Sequence, residues 1–220
     1  MRKTSKLLLV ILLSFLSYQA FGQKYGIRGG FNLANQVWQE DGDTYSADFK
    51  SKPGFHIGGI IEFPFTDLLS LETGLILDTK GLNWKEGDSG FSYEENYSLY
   101  YLDVPVVLKA VIEVGGSIGV YAVAGPYFGM GLSGKSKWVY ESTGGDESGE
   151  DKVEWGSDPE IDHFKRPDFG LTFGGGVDIK GIQVGVTYDL GLANISSYTD
   201  NNAKINNRVL RITGCYWFGK

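Results

Sequence analysis

The sequence predicts an all-β fold, a transmembrane antiparallel up-and-down barrel of eight strands, and three observations carry that expectation. Apolar and polar residues alternate with period two over most of the chain. The segments that join the alternating stretches are long and short in turn. Glycine is plentiful, at 32 of 220 residues, and aromatics make up 14%, which suits strands that bend and approach closely between interfacial aromatic belts.

The first 22 residues stand apart. Arg2, Lys3 and Lys6 precede an apolar run over 7–16, and a weakly polar stretch ends Ala20-Phe21-Gly22 before Gln23. This charged, apolar and small-residue order is that of a secretory signal peptide. A run of roughly ten apolar residues is too short to span a bilayer, which takes about 20. The expected organisation is therefore a signal peptide over 1–22 and one barrel domain over 23–220. Its removal takes three of the 20 basic residues and none of the 27 acidic ones, moving the formal charge from −7 to −10. Such a balance disfavours nucleic acid as a partner. The single cysteine, Cys215, cannot form an intramolecular disulfide.

Strands are expected at 24–34, 54–63, 69–82, 93–111, 117–132, 168–179, 182–190 and 205–218. The clearest is 168–179, where Phe169, Leu171, Phe173, Val177 and Ile179 fall on one face and Asp168, Thr172, Asp178 and three glycines, Gly170, Gly174 and Gly176, on the other. After Lys180-Gly181 the alternation resumes with Ile182, Val184, Val186, Tyr188 and Leu190, a β-hairpin pattern. Pro105 and Pro126 lie within strands, where each removes a ladder hydrogen bond and predicts a bulge.

The connections test the same idea independently. They run 35–53 (long), 64–68 (short), 83–92 (intermediate), 112–116 (short), 133–167 (very long), 180–181 (short) and 192–204 (long). Outer-membrane barrels sort their loops this way, with short periplasmic turns and long external loops. The expected location is the bacterial outer membrane, with both termini in the periplasm.

With apolar faces toward lipid, the interior set becomes Arg28, Asn32, His56, Glu62, Glu72, Asp78, Lys80, Asp103, Lys109, Asp178, Asp189 and Arg211. Side chains, not an open channel, fill so narrow a barrel. Facing charges can then pair, as buried charges must. The inverted alternative is a soluble, lipocalin-like barrel holding a small apolar ligand. Against it, many polar-face positions are Gly or Thr, not the Lys and Glu of a soluble surface. Tyr25, Trp84, Tyr100, Tyr101, Tyr188, Tyr216 and Trp217 lie near strand ends, as interfacial girdles do. The final strand alternates Leu210, Ile212, Gly214, Tyr216 and Phe218, an aromatic-ended pattern that resembles the terminal strands read by the barrel-assembly machinery.

The segments YLDVPVVLK (101–109), AGPYFGMGLSGK (124–135), DFGLTFGGGVDI (168–179), YDLGLANI (188–195) and NNRVLRITGCYWF (206–218) together resemble the PorT-like outer-membrane β-barrel family. The resemblance covers essentially the whole chain after the signal peptide. It implies an eight-stranded porin-family barrel; the family's namesake is associated with a protein secretion and gliding apparatus. It transfers no catalytic residue.

Three features could carry chemistry. His56 would need a neighbouring nucleophile and an orienting carboxylate to catalyse; a satisfied interior histidine is the simpler reading. The stretch 141–160 carries eight carboxylates against Lys152, and clustered carboxylates can bind divalent cations. It lacks fixed ligand spacing and reads as a solvated, mobile acidic loop. Gly174-Gly175-Gly176 sits inside continuing alternation, so strand packing explains it better than phosphate binding. The sequence thus points to a non-enzymatic envelope barrel without cofactor or resident metal. Its expected partners are outer-membrane lipid and lipopolysaccharide, the assembly machinery, and other envelope proteins through the external loops. A narrow porin or transporter is the alternative.

Overall fold

The structure, a computed structural model, describes residues 22–44 and 49–218. The segment read as a signal peptide lies, except for Gly22, outside the described residues. Eight long strands form a closed ring: β1 (Lys24–Glu40), β4 (Lys52–Pro64), β5 (Leu69–Asp88), β6 (Phe91–Gly115), β7 (Ile118–Ser142), β9 (Pro167–Ile179), β10 (Ile182–Gly191) and β11 (Lys204–Phe218). Each pairs antiparallel with its neighbour in the chain, and β11 returns to pair with β1. Closure leaves the ring without an unpaired edge, the condition for a sheet to cross lipid. Three short strands lie outside it: β2 (Asp43–Thr44) on β1, β3 (Phe49–Lys50) on β5 and β8 (Gly145–Lys152) on β7.

The alternation resolves as lipid demands. Phe31, Phe55, Leu75, Leu108, Ile112, Phe128, Val184 and Ile212 point outward and exposed, while Asn32, His56, Glu72, Asp103, Lys109, Gln183 and Arg211 are buried inside. An apolar exterior over a charged interior overturns the inverted, lipocalin-like alternative. Cross-strand register keeps each face continuous; Ile57↔Leu77 face outward and His56↔Asp78 inward as adjacent pairs.

The turns at 65–68, 116–117 and 180–181 lie at the same end as Lys24 and Trp217. Lys180 and Gly181 both take positive φ, 56° and 85°, so this two-residue turn matches the twist of its strands. At the opposite end the strands run past any membrane. A spanning strand needs about 9–11 residues, whereas β6 and β7 have 25 each. The excess forms a projecting sheet of β5, β6, β7 and β8.

Several sequence expectations change here. Residues 83–92 are not a loop but the outer ends of β5 and β6, joined by a turn at Ser89-Gly90. The acidic stretch 141–160 is not a mobile loop: 145–152 is a strand hydrogen-bonded to β7, with Lys135 and Lys137 pairing with Glu150. No bulge occurs at Pro105 or Pro126; register shifts fall between Tyr100 and Tyr101 and between Glu113 and Gly115. Tyr101 and Trp217 belong to the interior, not the girdle, with 0% and 8% exposure. Tyr25, Tyr100 and Tyr216 do face outward.

Candidate functional site

The interior is built as two ion-paired layers. Nearer the short turns, Lys109 on β6 donates to Glu62 on β4 at 2.7 Å and Gln183 on β10 at 3.0 Å, and sits 3.5 Å from Glu72 on β5. Arg28 on β1 reaches Glu72 at 2.6 Å. The Lys109 ammonium also lies 4.7 Å from the Trp217 ring and 5.3 Å from Tyr121, a cation–π setting that partly replaces its lost hydration. Gly176 and Gly185 face Tyr121, whose hydroxyl would collide with a Cβ at either position. The glycine run of β9 is therefore a packing device.

The layer toward the projecting sheet gathers four buried aspartates around two cations. Arg211 on β11 pairs with Asp78 on β5, Asp103 on β6 (3.1 Å) and Asp189 on β10. Lys80 pairs with Asp103 at 3.1 Å and Asp168 at 2.9 Å, and lies 4.6 Å from the rings of both Tyr101 and Tyr127. Asp168 also accepts from Tyr127 (3.2 Å) and Asn207 (2.9 Å). Period two puts the charged groups on facing inner walls of five strands, so one cation links residues far apart in sequence. Oxygens of Asp78, Asp103 and Asp189 converge closely enough to hold a metal ion, but the Arg211 guanidinium already supplies the positive charge there.

His56 is buried, with Nδ1 2.6 Å from the Asn32 amide oxygen and Nε2 3.1 Å from the Thr213 hydroxyl. Asn32 in turn donates to Asp78. That geometry orients a ring between two polar neighbours; it offers no approach for a substrate.

Of the charged residues expected inside, Arg28, His56, Glu62, Glu72, Asp78, Lys80, Asp103, Lys109, Asp189 and Arg211 join these two layers. Asp178 sits lower, at the turn, accepting from Gln183 at 2.8 Å and the Gly181 N–H at 3.0 Å. Sequence reasoning left out Asp168, Gln183, Tyr101 and Tyr127. Parity within each strand places all four inward, since each lies an even number of residues from an interior charge on the same strand or, for Tyr127, from the interior Val123.

Both mouths differ. Beneath the Lys109 layer a cavity of about 620 Å³ opens among the short turns. At the other end, segments 153–164 and 193–205 fold over the lumen. Val153, Phe164, Ala193, Ile195 and Ile205 are buried against Leu99 and Tyr101. Trp155 meets Tyr101 edge-on at 5.6 Å, and Phe164 meets Tyr97 at 5.5 Å. An apolar plug thus closes this mouth above the ion-paired layers.

A family model described as "Outer membrane protein beta-barrel domain" matches residues 21–197. In structure the chain is similar to Ail, the attachment invasion locus protein of Yersinia pestis, at 16% identity over 90% of this chain and 100% of that one, with a TM-score of 0.34. It is also similar to Neisserial surface protein A (12%; 89% and 97%; TM-score 0.42) and to OprG from Pseudomonas aeruginosa (14%; 90% and 97%; TM-score 0.40). Likeness at this level says nothing of what this chain does. No curated protein sequence matches it.

Proposed function

We propose, since this chain belongs to the outer membrane protein β-barrel domain family, that it is a closed, non-conducting and non-enzymatic barrel whose working surface is the sheet projecting from the membrane. The observation that carries this reading is the filled lumen. Two ion-paired layers cross it and an apolar plug covers it, leaving a cavity of only about 30 Å³ between the layers. A barrel of eight strands leaves an interior only wide enough for side chains. What remains available to a partner is the outside.

The orientation belongs to the proposal. Short turns sharing an end with both ends of the ring support placing that end in the periplasm, after export directed by the signal peptide read in 1–22. The finer kinship with PorT-like barrels, and with it membership of a secretion or other envelope assembly, is supported by the sequence segments alone. His56, held between Asn32 and Thr213, supports the non-enzymatic reading.

Electrical recording of the full-length protein in planar bilayers tests the closed state. The expected result is insertion without conductance steps. Steady single-channel currents would overturn it in favour of a narrow porin.

A further inference from the structure

The projecting sheet has two chemically different faces, and only one is accounted for. Residues paired directly across neighbouring strands share a face, so the register sorts them without ambiguity. One row reads Glu150, Lys137, Asn96 and Asn83 across β8, β7, β6 and β5, and the next reads Ser148, Val139, Glu94 and Lys85. This face is laced with ion pairs, Lys85 to Glu94 and both Lys135 and Lys137 to Glu150. It is a solvated surface whose charges cancel locally.

The other face lies on the same side as the barrel interior, above the plug. Its rows read Gly149, Trp138, Glu95 and Trp84, then Glu147, Tyr140, Tyr93 and Glu86. Trp84 and Tyr93 meet edge-on at 5.7 Å, and Tyr140 stacks with Phe91 at 6.4 Å. Trp138 donates to Asp151 at 3.1 Å, and Glu95 accepts from Ser136 at 2.7 Å and Tyr93 at 3.2 Å. Glu86 and Glu147 flank the two tyrosines, exposed and without an ion-pair partner among the described residues. Among the described residues of β5 to β8 beyond the plug, every lysine falls on the opposite face.

We infer that this aromatic and acidic face docks an extended polypeptide segment carrying lysine or arginine, presented by another protein outside the membrane. Aromatic rings offer a negative π face to a cation, and the unpaired carboxylates of Glu86 and Glu147 complete its charge. A neutral saccharide would use the rings and hydroxyls but has no need of the net charge, and complete segregation of lysine from this face is what a cationic partner requires. Each row sets carboxylates beside rings, Glu95 between Trp138 and Trp84 and Glu147 and Glu86 outside Tyr140 and Tyr93, which fits an extended chain whose basic side chains recur at every second residue. The inference rests on the closed, outward-facing barrel proposed above.

The test uses the full-length protein refolded in detergent micelles, with folding checked by heat-modifiable gel mobility. The probe is a fluorescent decapeptide of alternating arginine and serine, compared by anisotropy with the matching glutamate and serine peptide, with maltoheptaose as competitor and with calcium ions. The expected result is saturable binding of the arginine peptide alone, weakened by salt. The Glu86→Gln and Glu147→Gln double variant should bind about tenfold more weakly, and Tyr93→Leu should also weaken it. Glu94→Gln, on the opposite face, should leave it unchanged. No binding, equal binding of the acidic peptide, competition by maltoheptaose, displacement by calcium at an ionic strength where sodium chloride leaves the peptide bound, or equal loss in the opposite-face variant would each overturn the inference. Failure of the closed-barrel reading shows separately, as conductance in bilayers with peptide binding intact.

Discussion

Replacing Lys80 with methionine isolates what the outer ion-paired layer is worth. The side chain is 0% exposed, and its ammonium serves Asp103 and Asp168 at 3.1 and 2.9 Å while lying over two tyrosine rings. Methionine keeps the bulk and removes the charge, so the loss is electrostatic. Breaking a buried pair by deleting one partner costs about 3–5 kcal/mol, and the two ring contacts add about 1 kcal/mol. Part is offset, because Asp103 keeps Arg211 and Asp168 keeps hydrogen bonds from Tyr127 and Asn207, together worth about 1–2 kcal/mol. The expected destabilisation is therefore about 3–4 kcal/mol. Reversible urea unfolding in lipid vesicles, followed by tryptophan fluorescence and gel mobility, measures it. Adding Asp168→Asn to Lys80→Met should restore about 1–2 kcal/mol, since an amide tolerates the missing cation. Lys85→Met, whose ammonium is exposed, should be silent. If Lys80→Met costs less than about 1 kcal/mol, the interior is wet and screened, and the filled-lumen argument fails with it.

Phe164→Ala should cost about 3 kcal/mol by cavity formation, but locally: proteolysis within 153–166 should rise while the ring keeps its heat-modifiable mobility. His56→Ala strands Asn32 and Thr213 and should lose about 1–3 kcal/mol, with the host's outer-membrane lipid composition unchanged; an altered lipid profile would make His56 a catalyst. Hydrogen bonds from Lys135 and Lys137 hold the Glu150 carboxyl below its ordinary value of 4.5. A depressed folded value gives stabilisation that is full above the unfolded value and lost as pH falls through the folded one. Amide protection factors in β8, taken relative to the intrinsic exchange rate at each pH, should therefore be higher at pH 7 than at pH 3, and equal protection would leave the hairpin independent of that carboxylate.

The strands that meet lipid were legible because lipid enforces one rule along their whole length. Interior polarity at even spacing and exterior apolarity at odd spacing gave the number, order and pairing of strands. Beyond the membrane the rule lapses. In 83–98 the alternation is between aromatics with carboxylates and amides with lysines, which reads as a polar connection although it is the continuation of β5 and β6. Tyr101 shows a different error. Its aromatic character suggested an interface, while its separation of two residues from Asp103 required the inside, and parity was the better guide. Trp217, two residues from Cys215, repeats it. The plug was not legible at all, because Phe164 meets Ile195 and Ile205 only once two distant segments are folded over the mouth.

Arg211 sets a condition on how the ring can be made. It is carried by β11, the strand whose pairing with β1 closes the cylinder, yet its guanidinium neutralises aspartates on β5, β6 and β10. Pairing of β10 with β11 brings Arg211 beside Asp189 alone. Its pairs with Asp78 and Asp103, on strands that do not adjoin β11, form when β11 reaches β1 and the ring closes. The hydrogen-bonded seam and the charge balance of the interior are thus completed by the same event, so an open intermediate is electrostatically marked as unfinished and the closed barrel is not.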